Sequence, residues 1–259
     1  MDTLLVEDHG YVRVLRLNRP ERRNALNVEL CQRITQEVRT VTELDDASVR
    51  AILLRGDRRA FCAGADLGPS RPDGDTGAQG GVYGGGFHDA LFAMLKTIVA
   101  CPVPVLADVQ GPAVGAGTQL ALACDLRIAG EAAWFGVPAA ALGFALDSWT
   151  INRARELLGG ALARNVLIAN QRVELAQALA TGFVVQHSDS AGAMEFAQTV
   201  ASLAPLAMAQ LKQVLNERDA AYALNSEQQE LYDICWASED AAEAKLARAQ
   251  KRVPQFRAR

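Results

Sequence analysis

The sequence has only three histidines, His9, His88 and His187, none paired at metal-ligand spacing, and no CxxC pair among Cys31, Cys62, Cys101, Cys124 and Cys235. That pattern argues against a zinc site and against a disulfide framework; free thiols in a reducing compartment are the simplest reading. A metal-independent site follows, unless carboxylates alone hold an ion. Positive charge is not in excess either. The net charge is -4 with a pI near 5.5, and the Lys and Arg residues are scattered, so there is no basic field for nucleic acid. No apolar run reaches the roughly 18 to 20 residues that cross a bilayer. The N-terminus opens on acidic residues and strand-like alternation instead of a signal peptide. The expectation is a cytoplasmic protein without a membrane span.

What is present is enough apolar material for a sizeable core: half of the 259 residues are hydrophobic. Tyr11 to Leu17 alternates as a strand does, and Arg50 to Leu54 is a short apolar run before Gly56. Between them Leu30, Ile34, Val38 and Val41 recur at helical spacing behind a candidate N-cap, Asn27. The rhythm returns: Pro104 to Val109 is strand-like, Val114 to Cys124 small and helical, Asp125 to Ala129 strand-like. A strand-strand-helix repeat is predicted. Gly68 to Gly86, with eight glycines, has too little apolar surface to offset the entropy of ordering and is expected to be a mobile loop. Helical spacing resumes at Phe87, Leu91, Met94, Leu95 and Ile98. From about Ala191 the patterns are helical only, including Gln210 to Glu217 and Glu227 to Trp236.

Four stretches, Leu17 to Leu26 (LNRPERRNAL), Ala60 to Leu67 (AFCAGADL), Pro104 to Asp125 (PVLADVQGPAVGAGTQLALACD) and Ser238 to Phe256 (SEDAAEAKLARAQKRVPQF), together resemble the crotonase superfamily, the enoyl-CoA hydratase/isomerase proteins, in its order and separations. The resemblance implies an α/β spiral of strand-strand-helix units over residues 1–190, which binds CoA. It implies a helical trimerisation region over 191–259. It also implies an acyl-CoA thioester as ligand or substrate, no other cofactor, and a homotrimer or hexamer. Chemistry agrees: an enolate forming on a thioester needs two fixed N-H donors aimed at one oxygen, and small residues let the thioester approach. In the family these are the residue after the glycine of AGAD and the middle residue of the glycine triplet, here Ala65 and Ala116. Tight packing of small residues is the other account of both motifs.

By the same resemblance Arg22 or Arg23 pairs with CoA phosphates, unless both are simply solvated. Ala63, Gly64, Asp66 and Leu67 line the adenine and pantetheine side, with Asp66 alternatively capping a helix. Lys251 and Arg252 either reach CoA from the tail or end a solvated helix. Trp134, Phe144, Leu146 and Trp149 are candidates for a wide acyl pocket, or for core packing.

The family's hydratases activate water with one glutamate and protonate carbon with another. Those positions fall at Gln119 and Ala139, and each positioned acid or base is worth about 10² to 10⁴ in rate. Hydration is therefore expected to be vestigial. Asp147, eight residues after Ala139, resembles the extra aspartate of isomerase and dehalogenase members. It is either a base or, with Ser148, the N-cap of a helix Trp149 to Leu158. Gln119 with Ala139 and the GFALDSW segment resemble an actinobacterial group proposed as non-catalytic acyl-CoA carriers in lipid synthesis, which implies a protein partner in that pathway. An isomerase, decarboxylase or hydratase-like lyase acting through Asp147 is the alternative. A Clp-like serine protease on the same spiral needs Ser and His. Thr118 occupies the glycine-rich turn, and the three histidines lie far from it in sequence.

Overall fold

A computed structural model of the chain describes residues 2–42, 48–68, 86–216 and 226–255. Except for its end glycines, the expected mobile loop at 68–86 lies outside them.

Four successive turns of a spiral carry the architecture. Each supplies a strand to a large sheet, then an extended segment that pairs with the next turn by isolated bridges or in a second sheet, then a helix. The first turn is β2 (Val12–Leu17), the bridge residue Leu26 and α1 (Val28–Thr42). The second is β3 (Ala51–Arg55), the bridge residues Cys62 and Ala65, and α2 (Phe87–Ala100). The third is β4 (Val105–Val109), β5 (Ala113–Val114) and α3 (Ala116–Ala123), and the fourth β6 (Leu126–Ala129), β7 (Trp134–Gly136) and α4 (Ser148–Leu158). β1 (Leu4–His9) and β9 (Gln186–His187) complete the large sheet, ordered β1-β2-β3-β4-β6-β9, with only β1 and β2 antiparallel; β5, β7 and β8 (Val173–Glu174) form the second. The strand-strand-helix repeat read from periodicity is present. Asn27 caps α1 as expected, its Oδ1 accepting from Leu30 N at 2.9 Å.

The parallel strands are buried on both faces, which explains their nearly continuous apolar runs. Leu15, Leu17, Ile52, Leu54, Val105 and Ala107 face the main core under α1, α2 and α3. Val12, Val14, Ala51, Leu53, Leu106 and Ile128 face the other way, onto Ala193, Ala197, Val200 and Ala201 of α7 (Ser190–Ala201). α7 thus forms a layer against this face of the large sheet. α5 (Gly160–Leu167) precedes β8, and α6 (Leu175–Ala180) leads from β8 back to β9 of the large sheet. α8 (Pro205–Asn216), α9 (Ser226–Ala237) and α10 (Glu239–Ala249) follow.

Arg127 and Lys212 are buried cations that hold this frame. Arg127 is fully buried and donates to the carbonyls of Phe183, Ala121, Cys124 and Asp125, tying the C-terminal end of α3 to β6. Burial pushes its guanidinium down to about 10, still charged at neutral pH. Lys212 Nζ meets Asp125 Oδ2 at 2.7 Å and donates to the carbonyls of Ile98 and Val103, pinning α8 to the end of α2. Among the described residues no helix is long and apolar enough to cross a membrane.

Candidate functional site

Two backbone segments, 62–66 and 113–117, are pressed together by glycines. A Cβ on Gly117 would stand 2.1 Å from Cys62 O, and one on Gly64, whose φ is +101°, 2.7 Å from Val114 O and 3.7 Å from Ala116 N. Only glycine permits that approach. The first segment is held by Leu26 N donating to Gly64 O and Asp66 N donating to Leu26 O, both at 2.7 Å. In a parallel bridge of this kind the residue between, Ala65, turns its own N-H away from Leu26. The second segment is held by Gly115 N donating to Gly136 O at 2.8 Å, after which α3 begins at Ala116. Among the described residues neither Ala65 N nor Ala116 N has a hydrogen-bond partner. Ala116 also contributes the dipole of a helix start. Two neighbouring donors of this kind can hold one developing oxyanion.

Both alanines line a cavity of about 130 Å³ that opens to solvent. Neither Thr118 nor Cys62 is among the residues that line it. Thr118 is buried, with Oγ1 donating to the carbonyls of Ala113 (2.8 Å) or Gly136 (2.9 Å). Burial pushes the Cys62 thiol up to about 12, so it stays neutral. Among the described residues no group of His, Cys, Asp and Glu could hold a metal ion.

One wall is polar. Asp147 is the N-cap of α4: its Oδ1 accepts from Thr150 N at 2.9 Å. Its Oδ2 accepts from Thr150 Oγ1 at 2.6 Å and from Gln119 Nε2 at 3.3 Å, and Gln119 Nε2 also donates to Thr150 Oγ1 at 2.6 Å. Asp147 both caps the helix and lines the cavity, so its two expected roles are not alternatives in space. Ala139 lines the same cavity and offers a methyl.

The sequence model described as Enoyl-CoA hydratase/isomerase matches residues 7–259. The chain belongs to the enoyl-CoA hydratase/isomerase family. It is 40% identical over 245 residues, 95% of each chain, to "Probable enoyl-CoA hydratase echA6" of Mycobacterium tuberculosis. It is 32% identical over 265 residues, all of both chains, to "2,3-dehydroadipyl-CoA hydratase" of Escherichia coli. Among solved structures, an enoyl-CoA hydratase/isomerase from Pseudoalteromonas atlantica matches with a TM-score of 0.83 and 28% identity, over 99% of this chain and 100% of that one.

In this family member aromatic side chains also line the cavity. Phe144 stacks on Trp236 of α9 with ring centres 5.1 Å apart and planes 11° apart, and His88 of α2 meets Trp236 edge-on at 5.1 Å. Phe92 lies beside His88 at 6.2 Å. Phe144 and Leu146 line the cavity, together with His88, Phe92, Leu142 and Trp236. Trp134 and Trp149 do not line it: Arg172 sits 4.0 Å over the Trp134 ring, and Trp149 packs on the core. The sequence left all four open between acyl pocket and core packing, because residue type does not say which way a side chain faces. Trp236 was legible only as a helix position and His88 only as a residue remote in sequence from the glycine-rich turn; the spiral brings both to it.

Ala63, Gly64 and Leu67 line the cavity, whereas Asp66, Arg22 and Arg23 do not. Asp66 caps no helix within the described residues: Oδ1 accepts from Gly68 N at 3.0 Å, and Oδ2 meets Arg19 Nη2 at 2.7 Å. Burial would raise its carboxyl, but hydrogen bonds from Arg19 and Gly68 and the charges of Arg19 and Arg22 hold it below the usual value. Arg19 was not legible as a partner, because the pair spans 47 positions. Arg22 and Arg23 are exposed on the 3-10 turn Pro20–Arg22 and its cap, next to Ala63, whose N-H donates to Arg23 O. Arg252 is bound to Glu243 of α10, and Lys251 is exposed.

Proposed function

We propose that this protein binds fatty acyl-CoA thioesters with the carbonyl oxygen at the amides of Ala65 and Ala116, and that hydratase turnover is slight or absent. The pair of unpartnered amides at the cavity floor carries the reading. Gln119 cannot exchange a proton at useful pH and Ala139 has nothing to exchange. On this reading Ala63, Gly64 and Leu67 pass the pantetheine, Asp66 and Arg19 brace that loop, and Arg22 and Arg23 reach CoA phosphates from outside. Phe144 and Leu146 meet the acyl chain. The role is an acyl-CoA carrier or binder in lipid metabolism, working with a protein partner, with coenzyme A as part of the ligand and no other cofactor.

Assembly into a trimer, or a hexamer of two trimers, belongs to the same proposal. Its support is α8: with Lys212 held inward, Leu206, Leu211, Val214 and Leu215 are 55 to 87% exposed, an apolar stripe suited to a second copy.

Asp147 in the cavity wall favours one other reading, an isomerase or decarboxylase in which a lone carboxylate shuttles the proton while the amides stabilise the enolate. Calorimetric titration with long acyl-CoAs, beside product analysis over enoyl-, dienoyl- and hydroxyacyl-CoAs, separates the two. Saturable binding without product supports the carrier. Turnover abolished by Asp147→Asn supports the lyase or isomerase, and failure of every chain length to bind removes both.

A further inference from the structure

The chain is not rich in aromatic residues, yet it concentrates them at one place. Of its eight Phe, three Trp and four Tyr, Phe87, Phe92, Phe144 and Trp236 line the cavity, and His88 adds a further ring. They come from three elements: α2 supplies Phe87, His88 and Phe92, the segment after the 3-10 turn Ala140–Leu142 supplies Phe144, and α9 supplies Trp236. The rings meet in a continuous series. Phe144 lies parallel to Trp236, Trp236 meets His88 at 79°, and His88 lies 6.2 Å from Phe92 and 5.8 Å from Phe87. Ring quadrupoles attract at centre distances of about 4.5 to 7 Å, stacked or edge-on, and every contact in the series falls in that range.

Little else at the cavity could recognise an acyl group. Among the described residues no Lys, Arg, Ser, Thr or Tyr lines it, and Gln119 and Asp147 are bound to each other and to Thr150. Along the ring series, shape and ring electrostatics are what remain. An aliphatic group gains there only from the apolar area it buries, whereas an aromatic group gains from the area and from the quadrupoles as well. Size points the same way. The cavity of about 130 Å³ is on the scale of one ring, since an apolar cavity of about 150 Å³ takes up benzene. A long saturated chain has to run out of it through the opening to solvent.

Resting on the thioester reading above, we propose that the cavity prefers thioesters whose acyl group ends in an aromatic ring, and that Phe144 and Trp236 determine this preference by meeting that ring face-on or edge-on. The parallel pair is the part of the series that no single element builds: Phe144 and Trp236 stand on different elements and come together only at the cavity. A bound ring extends the series by one member, and a saturated ring of the same outline does not.

The experiment is a calorimetric titration of the full-length protein with phenylacetyl-, 3-phenylpropanoyl- and 4-phenylbutanoyl-CoA, each beside its cyclohexyl counterpart, and with octanoyl-CoA. The saturated ring buries at least as much apolar surface, so burial alone would favour it. At the best-fitting length the phenyl thioester should instead bind about fivefold tighter than the cyclohexyl one, which corresponds to about 1 kcal/mol. Phe144→Leu with Trp236→Leu should bring that ratio below about twofold, and Trp236→Phe alone, which keeps a ring in place, should hold it. A purely structural role for the two residues would weaken both thioesters alike and leave the ratio intact, which would overturn the proposal. Binding of octanoyl-CoA or the cyclohexyl thioesters by the unaltered protein, with no phenyl preference at any of the lengths, would overturn it too while sparing the thioester reading. No binding of any thioester removes that reading and this inference together. The ratio in the unaltered protein decides the matter even if the double variant does not fold.

Discussion

The carboxamide of Gln119 lies 3.3 Å from the carboxylate of Asp147, so a glutamate at 119 would set two carboxylates in contact. Restoring the hydratase pair is then not a simple exchange. Gln119→Glu should lower stability at pH 7, because two like charges this close cannot both ionise freely and one must hold its proton. A carboxyl whose folded pKa is raised binds more protons folded than unfolded, so the deficit should shrink as pH falls from 7 towards 5. Urea unfolding of both proteins across that range checks it; a deficit that grows on acidification would refute the contact.

The Asp66 carboxyl titrates with the opposite sign. Its folded pKa is depressed by Arg19, Gly68 and Arg22 acting against burial, so its stabilisation is present above about pH 4, the unfolded value, and is lost as pH falls through the lower folded one. Asp66→Asn should be less stable at pH 7 and converge on the unaltered protein near pH 3. Denaturant midpoints at pH 7, 5, 4 and 3 measure the convergence. Asp8, lowered by its hydrogen bonds with Arg13, adds a background of the same sign that both proteins share.

Gly117 has no room for a side chain, since its Cβ would meet Cys62 O at 2.1 Å. Gly117→Ala should separate the segments bearing Ala65 and Ala116, destabilising by about 1 to 3 kcal/mol and weakening acyl-CoA binding at least tenfold. Gly160→Ala, in the first turn of α5 with only the mobile end of Arg164 nearby at 3.2 Å, should leave binding alone and raise stability by about 0.4 to 1 kcal/mol. Thermal unfolding and titration of the pair provide the contrast.

Arg127 should be among the least replaceable residues remote from the cavity. Arg127→Met would strip four carbonyls of their donor in a fully buried setting, for a loss of about 3 to 5 kcal/mol. Chemical denaturation measures it, and a loss under about 1 kcal/mol would show that water replaces the guanidinium.

The α8 stripe predicts the state of association. Light scattering should give a multiple of three chains for the unaltered protein and a smaller particle for Leu206→Asp with Leu215→Asp. A monomer at micromolar concentration in the unaltered protein would overturn the proposed assembly.

Local chemistry made part of this molecule readable from its sequence. The Asn27 cap, the helical spacing of Leu30 to Val41 and the apolar runs at 51–55 and 105–109 depend on neighbours within a few positions, and the glycines of AGAD and GAG state their own need for close backbone approach. Asp147 as an N-cap was legible for the same reason. Periodicity reports that a side chain is buried but not in which compartment, so Trp134 and Trp149 could not be told from Phe144 and Leu146. Tertiary structure alone decided what lies beside what: Trp236 and His88, 148 positions apart, meet edge-on, and Arg19 reaches Asp66. The orientation of Gln119 was likewise beyond the sequence, because an amide has two faces of nearly equal shape and only the hydroxyl and carboxylate brought from another turn of the spiral distinguish them.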